Sequence, residues 1–455
     1  MDPDILSLIQ PFVKKGMKMG ADEVELFAEK EDKNTVNIEA NTLKSTEIGT
    51  LQGVGIRALV NKSLGFACVS SLEPEKIRIT LKRAISIAKS TPLDEHHQLA
   101  PQKQLTKVKG VYDEAVEHFG IEQALHRGGQ LLDSVRKIDE RISIMLGGFV
   151  TRVNEKAIAT STDIEASEKK TACYYFLGGM AIDGPDIGVI DIDGHAMVTV
   201  DDFDIENAAQ RFAHKVLSNL GAQQARSFKG PALLSPYAIV ELFNTLIQSS
   251  YASNIQSGQS HFQNRLGDEI ASKELTIEED GTVTQSYASS MFDREGNPHI
   301  AIKILDSGKF TGVLHNAYTA HHEGIESTGH AIGTFREPPS IGSTNLKIHP
   351  SNLSFDTLVS EIKHGLLIQR ISVFPDPISG NFSAALKGAK LIENGEITTT
   401  LKEITALGNL YESLNHITGI ENTLHPGITE RIYMTGVTKR WHIPHIRIDN
   451  LQFVA

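Results

Sequence analysis

Four segments near the start of the chain are built for one face of a β-sheet. In EVELFAEK (23–30), Val24, Leu26 and Ala28 alternate with charged neighbours, the two-residue period of a half-buried strand. NTVNIEA (34–40), GVGIRALV (53–60) and LGFACVSS (64–71) continue in the same style, each bounded by Gly, Asn or Ser. Helical spacing surrounds them. MDPDILSLIQPFVKKG predicts an amphipathic first helix with Ile5, Leu6, Ile9, Phe12, Val13 and Met17 on one face. EPEKIRITLKRAISIAKS (73–90) predicts a second, with Ile77, Ile79, Leu81, Ala84, Ile85 and Ile87 covering the sheet. Residues 92–112 read as a long loop or linker. A helix over 121–138 leads into further strands across 141–200, and a helix over 205–220 closes this half.

The second half opens on GPALLSP (230–236), an apolar strand stopped by proline, followed by the helical spacing of VELFNTLIQSSYA. From about residue 270 the chain is mostly strand and turn. Helices and antiparallel strands without strict βαβ alternation predict an α+β fold. At 455 residues the chain exceeds one hydrophobic core. The expected division is an N-terminal domain over 1–225, with helices on antiparallel strands, and a largely antiparallel β domain over 226–455.

Composition narrows the function. A net charge of −12 argues against a nucleic-acid surface, which needs excess Lys and Arg. No apolar run approaches the ~18 residues of a membrane span. The N-terminus puts acids before lysines, the reverse of a signal peptide. Cys68 and Cys173 are too few for a disulfide framework or a cysteine-rich zinc site. A soluble, cytoplasmic protein is the expectation.

Few stretches suggest chemistry. AHHEGIESTGHA (320–331) contains His-Glu, the opening of a zinc-hydrolase motif. His322 and His330, however, would lie roughly 12 Å apart along an ideal helix, too far for one tetrahedral ion. Gly324 and Ser327-Thr328-Gly329 also favour a turn, although a loop could fold two of these side chains together. In WHIPHIR (441–447), His442 and His445 flank Pro444 and read as solvated surface. The glycines of GVGIR lack the spacing of a phosphate cradle and read as turn glycines. There is no G-x-S-x-G elbow. Cys173, within TACYYFLG, reads as a small buried hydrophobe. These residues alone lead no further than a soluble two-domain α+β protein.

An ordered set of segments carries more. GVGIRALVNKSLGFACVSS, GPALLSPYAIVELFNTLIQSS, MFDREGNP (291–298), STGHA (327–331), SGNFSAALKGAKLIENGEI (379–397) and EITALGNLYESLNHI (403–417) together resemble the TldD/PmbA, or modulator-of-DNA-gyrase, family. The resemblance covers nearly the whole chain. It implies one of two branches: a peptidase with H-E-x-x-x-H on a helix plus a cysteine near the C-terminus, or a PmbA/TldE-like partner without these ligands. In this sequence the matching helix is ELFNTLIQSSYA. Asn244 and Ser249 stand in the histidine positions, Thr245 in the glutamate position and Thr435 in the cysteine position. Amides and hydroxyls are poor zinc ligands, and a threonine is no base near neutral pH.

The resemblance therefore implies a PmbA/TldE-like subunit of a metalloprotease of peptide degradation or maturation, inactive alone and without its own metal. Zinc is expected only in a TldD-type paralogue bound as a heterodimer. Gly380, Asn381 and Phe382 are candidates for lining a peptide cleft, or else a tight turn and a core anchor. The rival readings are a self-sufficient metal-dependent peptidase using His322 and His330, and a homodimeric peptide-binding module.

Overall fold

The structure, a computed structural model, describes residues 4–427 and 439–455. Its N-terminal sheet contains β1 (Glu23–Glu39), β2 (Thr42–Val60), β3 (Ser63–Val69), β4 (Ile142–Thr160), β5 (Glu165–Asp183) and β6 (Asp191–Met197), ordered β3-β2-β1-β4-β5-β6 with antiparallel neighbours. Helices α1 (Ile5–Lys18), α2 (Pro74–Ala88), α3 (Ile121–Ile138) and α4 (Ile205–Leu217) share the cores built on Val24, Leu26, Ala28, Val36 and Ile38 of β1. Those positions have one parity, so the helices cover one face. The opposite face is covered in part by the other half of the chain. There Phe27 and Ile158 meet Phe292, Ala317 and Phe335 of the C-terminal half.

Several expectations are corrected here. The segments 23–30 and 34–40 belong to one strand, because residues 31–33 stay paired to both β2 and β4. GVGIR is no turn. Gly53 and Gly55 lie inside β2, where an added Cβ would come within 2.2 Å of the Phe335 ring and 2.4 Å of its carbonyl oxygen respectively. A close-approaching segment, rather than chain reversal, requires glycine at these positions. On α1, Gly16 is buried and Met17 exposed, and on α2, Ile79 and Ile87 are exposed while Thr80 is buried. A 100° step per residue turns Ile79 and Ile87 away from the face of Ile77, Leu81, Ala84 and Ile85.

The C-terminal half is an α+β assembly around β7 (Phe228–Leu234) and α5 (Pro236–Ser249). Strand β7 runs parallel to the strand His364–Ile368 and antiparallel to Ile446–Val454, inside a 10-stranded sheet. Ala232 and Leu234 face the core shared with α5, and Leu233 faces a second cluster with Leu358 and Ile362. Ser235 starts α5 by accepting the Ala238 N–H at 3.3 Å, with Pro236 at the first helical position. A second sheet of 6 strands includes Ile277–Glu279, Asn345–Ile348, His425–Gly427 and Arg440–Ile443. No helix among the described residues is long and apolar enough to cross a membrane.

Candidate functional site

The stretch 320–331 is divided between two environments. Its first residues complete a short helix, α6 (Ala317–Glu323), capped by Asn316 and ended by Gly324 at φ +69°. The expected break falls at Gly324, and before it the capping exchange between Asn316 and Thr319 stabilises a short helix. His322 is exposed, its ring centroid 4.3 Å from that of His96. His330 is fully buried, with Nε2 on the Glu279 carboxylate and Nδ1 2.9 Å from Thr328 Oγ1. His315, also buried, approaches Glu323 at 3.9 Å. His322 and His330 share no partner, and burial of His330 serves a Glu279 pair that also accepts from Thr344.

On α5, Asn244 and Thr245 are half-buried and Ser249 is buried. Residues 244 and 249 keep the five-residue spacing of the motif's two histidines, so what differs here is the donor chemistry, an amide and a hydroxyl in place of two imidazoles. Ser249 Oγ lies 3.0 Å from the Thr245 carbonyl and 2.9 Å from the Tyr411 hydroxyl, which donates to Pro377 O at 2.6 Å. Tyr411 stacks on His261, with ring centroids 3.8 Å apart and planes at 6°. Burial lowers the His261 pKa, with the Ile378 carbonyl opposing the shift and Arg265 reinforcing it.

The same tyrosine carries α5 to the 376–382 turn. At Gly380 (φ +79°) a Cβ would come within 2.4 Å of the Tyr411 ring. Asn381 is exposed and accepts from Asn409 Nδ2 at 3.0 Å, while Phe382 is buried in the core. Of the three residues singled out from sequence as cleft candidates, Gly380 thus sits beside the tyrosine that contacts Ser249, Asn381 is exposed, and Phe382 is a core anchor. Thr435 lies outside the described residues. Cys173 is buried, 3.2 Å from the Thr199 carbonyl, and burial pushes its thiol up.

A cavity of about 1,020 Å³ lies where the N-terminal sheet meets the N-terminal end of α5. Tyr175, Asp193 and Lys215 line one side, and Tyr237, Glu421, His425 and His445 the other. Glu421 Oε2 is 2.9 Å from His425 Nε2 and 2.7 Å from His445 Nδ1, and also accepts the His445 N–H at 3.0 Å. Burial opposes ionisation of Glu421, but hydrogen bonds from His445 and both imidazoles outweigh it and hold the carboxyl at about 2. His445 is thus a partly buried member of a cluster rather than a solvated surface residue. Glu421 and His425 were not singled out from sequence, since His445, which completes the cluster, lies 24 residues from Glu421 in the chain. His442 points elsewhere, accepting from Arg440 Nε at 2.8 Å, and burial with Arg440 and Lys347 lowers its pKa to about 4.

Comparison with known proteins agrees with this architecture. Residues 227–455 match the PmbA/TldA metallopeptidase C-terminal domain, and residues 24–88 match PmbA/TldA metallopeptidase domain 1. The chain belongs to the PmbA/TldD metallopeptidase family. An uncharacterized protein of Methanocaldococcus jannaschii is 24% identical over 89% of this chain and 92% of its own. Metalloprotease PmbA of Escherichia coli O157:H7 is 24% identical over 89% and 88% respectively. The crystal structure of TldE from Thermococcus kodakarensis superposes with a TM-score of 0.90 at 22% identity, covering 98% of this chain and 100% of that one.

Proposed function

We propose that this chain is the PmbA/TldE-like subunit, without the catalytic zinc, of a two-subunit metalloprotease, acting in the cytoplasm with a TldD-type paralogue that supplies the catalytic zinc. The observation that carries this reading is the chemistry of α5. Its Asn244, Thr245 and Ser249 offer one amide and two hydroxyls, and Ser249 is engaged with Thr245 and Tyr411. Such groups neither hold zinc well nor act as a base. Among the described residues the one group of three metal-capable side chains lies off this helix.

The subunit's contribution is to hold peptide near its partner's metal. The strand Arg370–Ser372 ends the larger sheet, and it leads to Phe374 and Ile378, 84% and 54% exposed, beside Gly380 and Asn381. A sheet edge with neighbouring apolar side chains suits an extended peptide held through its backbone. In this reading residues 1–225 and 226–455 act as two domains. Co-expression with a paralogue carrying H-E-x-x-x-H tests the pairing. A mixed complex containing both chains, recovered through a tag on either, is the expected result. Recovery of this chain only as itself would refute the assignment and leave the homodimeric alternative.

A further inference from the structure

The cluster Glu421, His425 and His445 is unclaimed by the α5 reading and independent of it. It comprises a carboxylate and two imidazoles, and its ligand atoms all lie within 4.8 Å of one another. We propose that these residues bind a divalent transition-metal ion of the zinc class, at a site separate from the position of the lost catalytic motif.

The donor set supports this. Two imidazole nitrogens and one carboxylate oxygen match three-ligand zinc sites, and they suit zinc, cobalt and nickel better than magnesium or calcium. Zinc–nitrogen and zinc–oxygen bonds of about 2.1 Å in a tetrahedron require donors about 3.4 Å apart. The Glu421 oxygen stands 2.7 and 2.9 Å from the two ring nitrogens, so small side-chain rotations open the required space. Without an ion, those contacts close into hydrogen bonds, which keeps the carboxylate satisfied when the site is empty.

The surroundings fix the donors in place. Glu421 is tied to the backbone of the segment bearing His445, its own N–H donating to the His445 carbonyl at 2.9 Å. The His445 ring stands edge-on to Phe355, 4.8 Å between centroids, and 5.1 Å from the His425 ring. Glu421 and His445 are largely enclosed, with side-chain exposures of 5% and 17%, whereas His425 is 36% exposed. All three line the large cavity, so a fourth coordination position would face its space.

The cluster and α5's degenerate motif share no residue. The cavity reaches α5 at Ser235, Pro236 and Tyr237. Ser249 lies twelve residues further on, about 18 Å along the helix. The strand bearing His425 meets α5 near Val240, where a Cβ on Gly427 would come within 2.6 Å of that side chain. None of Asn244, Thr245 and Ser249 is among the cluster's donors, so the two donor sets are distinct.

The test is zinc titration of the purified full chain, stripped with chelator beforehand and followed by calorimetry, with cobalt absorption as a second probe. The expected result is one ion per chain. His425→Ala and His445→Ala should each weaken binding at least about tenfold. His349→Ala, which removes an imidazole from a two-member pair with Glu278, should leave it unchanged. Absence of binding, or equal loss in all three variants, would overturn the site. Should either cluster variant fail to fold, anomalous diffraction from a zinc-soaked crystal of the unmodified chain decides. Density between Glu421, His425 and His445 supports the proposal, and density elsewhere or none refutes it.

Discussion

At the residue scale, the contact between the halves of the molecule rests on buried charge. Glu25 of β1 receives Arg57 Nε at 3.0 Å and Arg294 Nη1 at 2.9 Å, and Arg57 Nη1 reaches Glu295 Oε1 at 2.7 Å. Burial raises the Glu25 pKa, and Arg57 and Arg294 together overcome that effect and hold it below the ordinary carboxylate range. A depressed folded-state pKa contributes stability above the unfolded value of about 4.3, and that stability is lost as pH falls through the folded value. Glu25→Gln leaves two buried guanidinium groups short of a counter-charge and should cost about 3–5 kcal/mol near pH 7. Urea unfolding across pH should show the difference from the unmodified chain shrinking below about pH 4. A difference that stays constant to low pH would contradict this account. MFDREGNP was legible as a family segment, but the role of Arg294 and Glu295 was not. Their partners lie 269 and 238 residues away, and no local pattern encodes such a pairing.

At the element scale, α5 is a well-capped helix whose last turn is committed to structure. Ser249 is only 2% exposed and sits against Tyr411. Ser249→Ala removes one neighbour of a tyrosine that keeps its bond to Pro377, so a cost of about 1 kcal/mol is expected. Ser249→His must place an imidazole in that volume and should cost more, about 1–3 kcal/mol, read as a shift in denaturation midpoint. Equal stability of the two variants would show that position 249 has room for the motif's histidine. The helix itself was legible from its spacing, whereas Ser235-Pro236, read as the stop of the preceding strand, proves also to begin the helix. The lengths of β1, β2, β4 and β5 were not. Residues 42–50 of β2 are exposed throughout, so pairing to β1 rather than a dry face keeps them extended, and the two-residue pattern vanishes. Where both sheet faces are covered, as around Phe27 and Ile158, alternation disappears for the opposite reason.

At the scale of the whole molecule, a sheet covered by helices on one face receives the C-terminal half on the other, and the large cavity lies beside α4 and β6, lined by residues of both halves. The α+β class followed from the order of helical and alternating segments. The cavity and the Glu421 cluster could not, because they are assembled from separate strands and from both halves of the chain. The non-zinc reading makes the molecule half of an enzyme. α5 has no histidine and carries Thr245 at the motif's glutamate position, so in this reading attack on an amide is performed by the partner. The direct measurement is hydrolysis of an unstructured peptide by this chain alone, by the zinc-bearing paralogue mixed with it, and by that mixture with chelator. The account predicts no cleavage by this chain alone, cleavage by the mixture, and its loss on chelation or when the paralogue's motif glutamate is replaced by glutamine. Chelator-sensitive cleavage by this chain alone, in a preparation free of other proteases, would contradict it.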